Sequence, residues 1–299
     1  MTTIGTSGSG RAMNANAFIR THPLVAYFAL TFAISWGAVL VVVGPHGFPG
    51  TAEQVETLLP LAVVAMLTGP PTASILLTCL IDGRVGVRGL SSRLLEWRVD
   101  ARWYALALLT APLVATTVLL GLSSLSSDYI PGILATDEPT SRLVFGVTVA
   151  MGAGIFEEIG WTGFAVPRLR LRHSVLGTGL ILGLVWGAWH LLVSLWASRT
   201  FTGTIPVPIY LTAGLFSSLL AFRVAMVWVY DRTGRLLLSV LMHGSLTACA
   251  LLLSPPTTGV RLLTYDLVLA AALWAVVAAL VVRHDGQGPV ATTGRGQTA

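Results

Sequence analysis

The chain has 299 residues, 54% of them hydrophobic and only 10% charged, with a mean hydropathy of +0.78. A soluble domain carries about 25% charged residues, so the composition excludes an ordinary soluble enzyme and indicates an all-α polytopic membrane protein. The net charge is +5 and every basic residue is an arginine. The arginines are spread over the connecting segments, which assigns them to membrane orientation and not to a nucleic-acid partner.

Residues 1–22 are rich in Gly, Ser, Thr and Asn and read as a disordered N-terminal tail. The first apolar run, Pro23 to Val43, is longer than the ~7–15 residues of a signal-peptide core, so it reads as a membrane helix and not a cleaved leader. A spanning helix needs ~20 mostly apolar residues. On that basis about eight spans are expected, at 23–44, 58–81, 103–124, 142–166, 175–197, 207–229, 236–254 and 262–282. Pro45-His46-Gly47 and Pro49-Gly50 end the first, and Ser254-Pro255-Pro256 ends the seventh. Asp82 to Arg102 reads as a loop with room for a short amphipathic helix. Cys79 and Cys249 lie in separate apolar segments and read as packing residues, not as a disulfide framework. The chain then divides into N-terminal membrane helices (23–141), a membrane core (142–254), a last helix (255–283) and a second disordered tail (284–299).

With eight spans, fifteen arginines fall on one side: 11, 20, 84, 88, 93, 98, 102, 168, 170, 172, 223, 232, 235, 283 and 295. Only Arg142, Arg199 and Arg261 fall on the other. The positive-inside rule then places both termini in the cytoplasm. The bilayer is the first partner this implies.

The chemistry lies in three stretches. Glu157 and Glu158 stand in Ile155-Phe156-Glu157-Glu158-Ile159-Gly160-Trp161, inside an apolar span. An ionisable residue there is costly, and is a functional-site candidate by default. Adjacent helical residues point ~100° apart, so the two carboxylates face different partners. Trp186 and His190 are four apart and share a helix face, and Gly183 and Gly187 invite a neighbouring helix to approach closely. His243 and Thr247 share a face in the same way. Glu157 and His243 lie a little cytoplasmic of the middle of their spans and His190 towards the outer side of its own, a depth difference of roughly 10 Å that tilt or a later start to the fifth span can absorb. Alone, each group has a plainer explanation. The glutamates could lock helices together, each His could make one interhelical hydrogen bond, and Thr247 could bond back to its own helix.

Together, in this order, the three motifs resemble the CPBP intramembrane proteases. That family includes the type II CAAX prenyl endopeptidases and the bacterial bacteriocin-processing or self-immunity (Abi) homologues. The resemblance covers about 145–250. Two positions depart from the family pattern: Thr162 stands where an Arg is expected after the glutamates, and Thr247 stands where an Asn or Asp is expected after His243. The resemblance implies that Glu157 activates a water with help from His190. Glu158 has a supporting role, and His243 with Thr247 stabilises the oxyanion. A second version makes His190, His243 and Glu157 ligands of a divalent metal such as Zn, leaving one open position. Arg223 either supplies the charge missing at Thr162 or snorkels to the cytoplasmic interface. The expected function is intramembrane hydrolysis of a peptide bond in a membrane-associated protein or peptide, in a bacterial cell membrane. The alternatives are a non-catalytic membrane immunity or binding protein on the same scaffold, and a proton-coupled transporter. The latter would show internal repeats or broken helices, and no clear repeat is present.

Overall fold

A computed structural model of the protein describes residues 16–282, which contain helices and no strand. A short helix over 16–21 precedes the first span, so the end of the expected N-terminal tail is ordered as helix. The remainder of both tails lies outside the described residues. The main helices are α1 (Pro23–Val43), α2 (Ala52–Leu67), α3 (Gly69–Leu95), α4 (Ala101–Ser123) and α5 (Pro139–Gly160). After a π-helical segment, Trp161–Ala165, come α6 (Val166–Arg170), α7 (Val175–Ala197), α8 (Val207–Phe216), α9 (Ser218–Thr233), α10 (Leu236–Leu253) and α11 (Gly259–Val282). Among the described residues these make eight segments long and apolar enough to cross a membrane, as the hydropathy pattern implies.

The bundle has the polarity that lipid demands. On α1, Tyr27, Thr31, Ser35, Val39 and Val43 recur every fourth residue and are buried, while Val25, Leu40 and Val41 face outward. Side-chain hydroxyls then serve backbone groups that cannot reach water. Pro70 has no N–H to give the carbonyl of Met66 four residues earlier; Ser35 Oγ donates to that carbonyl instead, at 2.7 Å. Pro167 leaves the carbonyl of Gly163 open in the same way, and Arg93 Nη2 donates to it at 3.2 Å. Ser74 Oγ donates to the carbonyl of Ile159 at 2.9 Å, just ahead of the π-helical segment.

Three expectations need correction. The second span is not a single helix over 58–81: α2 starts at Ala52, behind a capping box made by Thr51 and Gln54, and the break at Thr68 precedes Pro70 and Pro71. The segment from Asp82 is not a loop as far as Arg102. Gly83 turns the chain with φ 61°, and helix then runs on to Leu95. Leu90 is buried against Gly163, and Arg93 Nη1 reaches the hydroxyl of Tyr230 at 2.9 Å. The sixth span is two helices, broken at Ser217, whose hydroxyl bonds to the carbonyl of Ala213. A hydroxyl that competes locally for a helix carbonyl weakens the ladder there.

Helix α5 lies between α10 and α3, and α7 packs along α9. Glycines set these approaches, as expected where lipid offers no hydrophobic drive and close van der Waals contact must hold helices together. A Cβ on Gly154 would stand 2.6 Å from the carbonyl oxygen of Val240 on α10. A Cβ on Gly179 would stand 2.6 Å from the Cα of Val224 on α9, and Gly183 faces Leu220 of the same helix. By contrast, nothing lies within 4 Å of a Cβ on Gly152. Gly154→Ala is therefore expected to cost about 1–3 kcal/mol through overpacking, seen as a lower unfolding temperature in detergent. Gly152→Ala should leave it unchanged; equal effects from the two would show that the α5–α10 contact is not set by Gly154.

Candidate active site

Four helices bring one polar cluster into the apolar bundle: α5 carries Glu157 and Glu158, α7 carries Trp186 and His190, α9 carries Arg223, and α10 carries His243 and Thr247. Glu158 and Arg223 are fully buried, and Glu157 and His243 nearly so.

The two carboxylates have different partners, as their ~100° offset requires. Glu158 is surrounded by donors. Arg223 Nη1 donates to its Oε2 at 2.9 Å and its Oε1 at 3.0 Å. His243 Nδ1 donates to Oε1 at 2.7 Å, and the hydroxyl of Thr162 donates to Oε2. Arg223 therefore does not snorkel to the interface. It supplies the charge that position 162 lacks, and Thr162, one helical turn after Glu158, adds a hydrogen bond of its own. In the arginine tally Arg223 belongs to the core, which leaves fourteen against three, and the charge asymmetry stands. The guanidinium has further N–H groups, at Nε and Nη2, without a hydrogen-bond partner. It lies over the Trp186 ring, 4.1 Å from the centroid, and the cation–π attraction offsets part of that cost.

Glu157 is held differently. Its Oε2 accepts from Trp186 Nε1 at 2.7 Å and from Trp161 Nε1 at 3.2 Å. Its Oε1 lies 3.5 Å from His243 Nε2 and has no shorter bond. His243 thus stands between the carboxylates, one ring nitrogen towards each.

Trp186 joins the remaining pieces. Its ring meets His243 edge-on at 5.2 Å and His190 edge-on at 5.6 Å. His190 is half-buried and also packs on Trp189 at 4.8 Å. His190 Nδ1 lies 2.8 Å from the carbonyl of Trp186. A carbonyl only accepts, so Nδ1 carries the hydrogen and the Nε2 lone pair is free. His190 makes no direct hydrogen bond to Glu157. The expected depth gap is bridged by Trp186, whose indole reaches Glu157 from one turn nearer along α7. Thr247 lies one turn beyond His243, half-buried, and its hydroxyl makes no hydrogen bond among the described residues.

The motif reading gave no role to Trp161 or to the hydroxyl of Thr162. Both stand four residues after a glutamate, Trp161 after Glu157 and Thr162 after Glu158, and that spacing is the signal that could have found them.

A metal held by His190, His243 and Glu157 would have to take Nε2 of each histidine and Oε1 of Glu157, the atoms without a close partner. The other atoms are engaged: His190 Nδ1 faces the carbonyl of Trp186, His243 gives Nδ1 to Glu158, and Glu157 Oε2 is taken by two indoles. The second nitrogen of a histidine ligand is ordinarily held in this way. Among the described residues no three His, Cys, Asp or Glu side chains converge as a metal-binding group.

The buried Arg223–Glu158 pair generates a stability prediction. Arg223→Leu strands the Glu158 carboxylate and should cost about 3–5 kcal/mol. Adding Thr162→Arg, one turn from Glu158 and next to the vacated volume, should restore part of the lost unfolding temperature. If Arg223→Leu alone leaves that temperature unchanged, the pair is not what stabilises the core.

Two comparisons with known proteins bear on this geometry. Residues 139–249, a little over a third of the chain, match the family described as "Type II CAAX prenyl endopeptidase Rce1-like". That range contains Glu157, Glu158, Trp186, His190, Arg223, His243 and Thr247. The "CAAX prenyl protease 2" of Methanococcus maripaludis is 40% identical over 38 residues, which is 13% of this chain and 14% of that protein. The resemblance carried by the motifs thus stands on a matched segment as well, and this integral membrane protein is, over its four-helix polar core, similar to the Rce1-like type II CAAX prenyl endopeptidases.

Proposed function

We propose that the protein is an intramembrane endopeptidase that hydrolyses a peptide bond of a membrane-associated protein or peptide, in a bacterial cell membrane with both termini in the cytoplasm. The observation that carries this reading is the unequal treatment of the two glutamates. Glu158 is saturated by Arg223, His243 and Thr162, while Glu157 keeps Oε1 without a close donor.

In this reading Glu157 Oε1 takes a proton from a water, whose oxygen attacks the scissile carbonyl carbon. The lone pair on His190 Nε2 orients that water. His243, held through Nδ1 by Glu158, presents Nε2 to the carbonyl oxygen as negative charge develops there. With His243 protonated on both nitrogens, two carboxylates face two cations, Arg223 and His243, and the cluster is neutral in a medium that penalises net charge. Thr247 supplies a further hydroxyl near the oxyanion. The C–N bond then breaks, and the proton on Glu157 passes to the departing amine. Trp186 and Trp161 fix the Glu157 rotamer, which is positioning, and preorganised donors are the larger electrostatic contribution in acyl transfer. Glu157 carries that one proton through both transfers, from the water to the amine.

The names of the matched family and relative describe CAAX prenyl substrates. For this chain we propose only the coarser reaction, because the matched stretch of the relative spans 14% of its length. Helix breaks such as the one at Ser217 would also suit a proton-coupled transporter. The family match favours hydrolysis.

In proteoliposomes, Glu157→Gln is expected to lower cleavage of a membrane peptide by about 10²–10⁴-fold, the range for a general base. His190→Ala should also lower it strongly. Cleavage that survives Glu157→Gln would remove the mechanism and leave a non-catalytic binding role. Trp186→Phe keeps the ring but deletes the indole N–H to Glu157. It should reduce kcat with little change in KM, since the contact orients a reacting group. We further expect EDTA and phenanthroline to leave the rate intact; loss of activity restored by added Zn would return His190, His243 and Glu157 to the role of ligands.

A further inference from the structure

A cavity of about 330 Å³ lies between α7, α8 and α11, with neither Glu157 nor Glu158 in its lining. Its size falls at the lower end of small-ligand sites, about 300–1,000 Å³. Val193, Leu211 and Leu215 make most of its wall apolar, and Ser194, Tyr210 and Asp266 supply its polar groups. Asp266 is seven residues into α11, so it sits about 10 Å along the helix from its start. Among the described residues its carboxylate has no hydrogen bond and no basic partner. A carboxylate at that depth, in an apolar cavity, calls for a partner that is not in the chain.

The position of the cavity says where such a partner would come from. Val193 and Ser194 follow His190 by three and four residues on α7, so the wall begins on the His190 face, about 6 Å further along the helix. The break at Ser217 ends α8 beside the same seam, where Leu215 and Phe216 lie against Gly187. The cavity is therefore next to the catalytic cluster, on the side away from the arginine-rich loops.

We propose that this cavity is a subsite for a basic side chain of the substrate. The aliphatic stem of a Lys or Arg lies against Val193, Leu211 and Leu215, and the cationic head pairs with Asp266 and hydrogen-bonds the Tyr210 hydroxyl. The occupant as part of a substrate rests on the hydrolytic reading above; the affinity of the cavity for an apolar chain ending in a cation does not.

Two measurements separate these. The first is ligand binding to the full-length protein in zwitterionic nanodiscs, read as a shift in unfolding temperature with n-octylammonium or n-octanol. Octylammonium should bind the wild type and lose about tenfold in affinity in Asp266→Asn, as expected for losing a charge-assisted hydrogen bond. Octanol should bind both equally. Gly214→Leu, at a position where a Cβ meets nothing within 4 Å, should fill the cavity without unfolding the protein and weaken both ligands. Equal octylammonium binding by wild type and Asp266→Asn overturns the site.

The second measurement is cleavage of peptides that differ only by Lys or norleucine at successive positions around the scissile bond. One Lys position should raise kcat/KM about tenfold in the wild type and give no advantage in Asp266→Asn. If peptides are cleaved with no Lys preference, the substrate occupant is wrong and the cavity takes a free cationic amphiphile. If no peptide is cleaved at all, the hydrolytic reading fails, and the octylammonium result alone decides the site.

Discussion

The pairing of Arg223 with Glu158 is the constraint on which the rest of the core depends. Both side chains are fully buried in a bundle that faces lipid. An unpaired charge there would be prohibitive, and even a pair is held only when its remaining hydrogen-bonding capacity is largely met. Glu158 meets that condition with Arg223, His243 and Thr162, and so ties α5, α9 and α10 to one point. Holding His243 by Nδ1 in turn aims its Nε2 at Glu157. The chemistry proposed for Glu157 is thus prepared by a carboxylate that does none of it.

Bringing four helices to that point requires close backbone approach, which the sequence provides through small residues on the facing sides. Gly154 meets α10, Gly179 and Gly183 meet α9, and Gly160 meets Tyr27 and Pro70. Prolines and the π-helical segment open carbonyls at the same level, and hydroxyl and guanidinium groups from neighbouring helices close them. In a bilayer no water is available for that task. The irregular backbone around Gly160–Pro167 is therefore enclosed by α1, α3 and α10, where Gly160 meets Tyr27 and Pro70 and Gly163 meets Leu90 and Leu236, with Tyr27 stacked on Phe164 at 4.9 Å.

Much of the architecture was legible from residues alone, for a physical reason: lipid imposes long apolar segments, and eight of them stand out whatever their packing. The glutamates and histidines were legible because ionisable groups are rare in such segments. Departures from the family pattern were harder to read. Thr162 looked like the loss of a counter-charge, yet it is a hydrogen-bond donor, and the charge comes from Arg223, sixty-one positions later in the chain, for which local spacing left both pairing and snorkelling open. Hydropathy also could not tell a kinked helix from a straight one, so the breaks before Pro70, at Gly83 and at Ser217 were missed.

By itself the sequence determined the class of molecule and the number of spans, and it proposed an orientation from arginine bias and a set of candidate residues for acid–base chemistry. These follow from composition and local spacing, which act along one helix at a time. Only the tertiary structure decided which glutamate has both oxygens closely bonded and which keeps one without a close donor, that Arg223 replaces the missing arginine, and that Trp186 carries the link from His190 to Glu157. Those outcomes depend on which helix faces meet across the bundle, and the packing of glycines and aromatic rings between helices sets that, while helical periodicity alone does not.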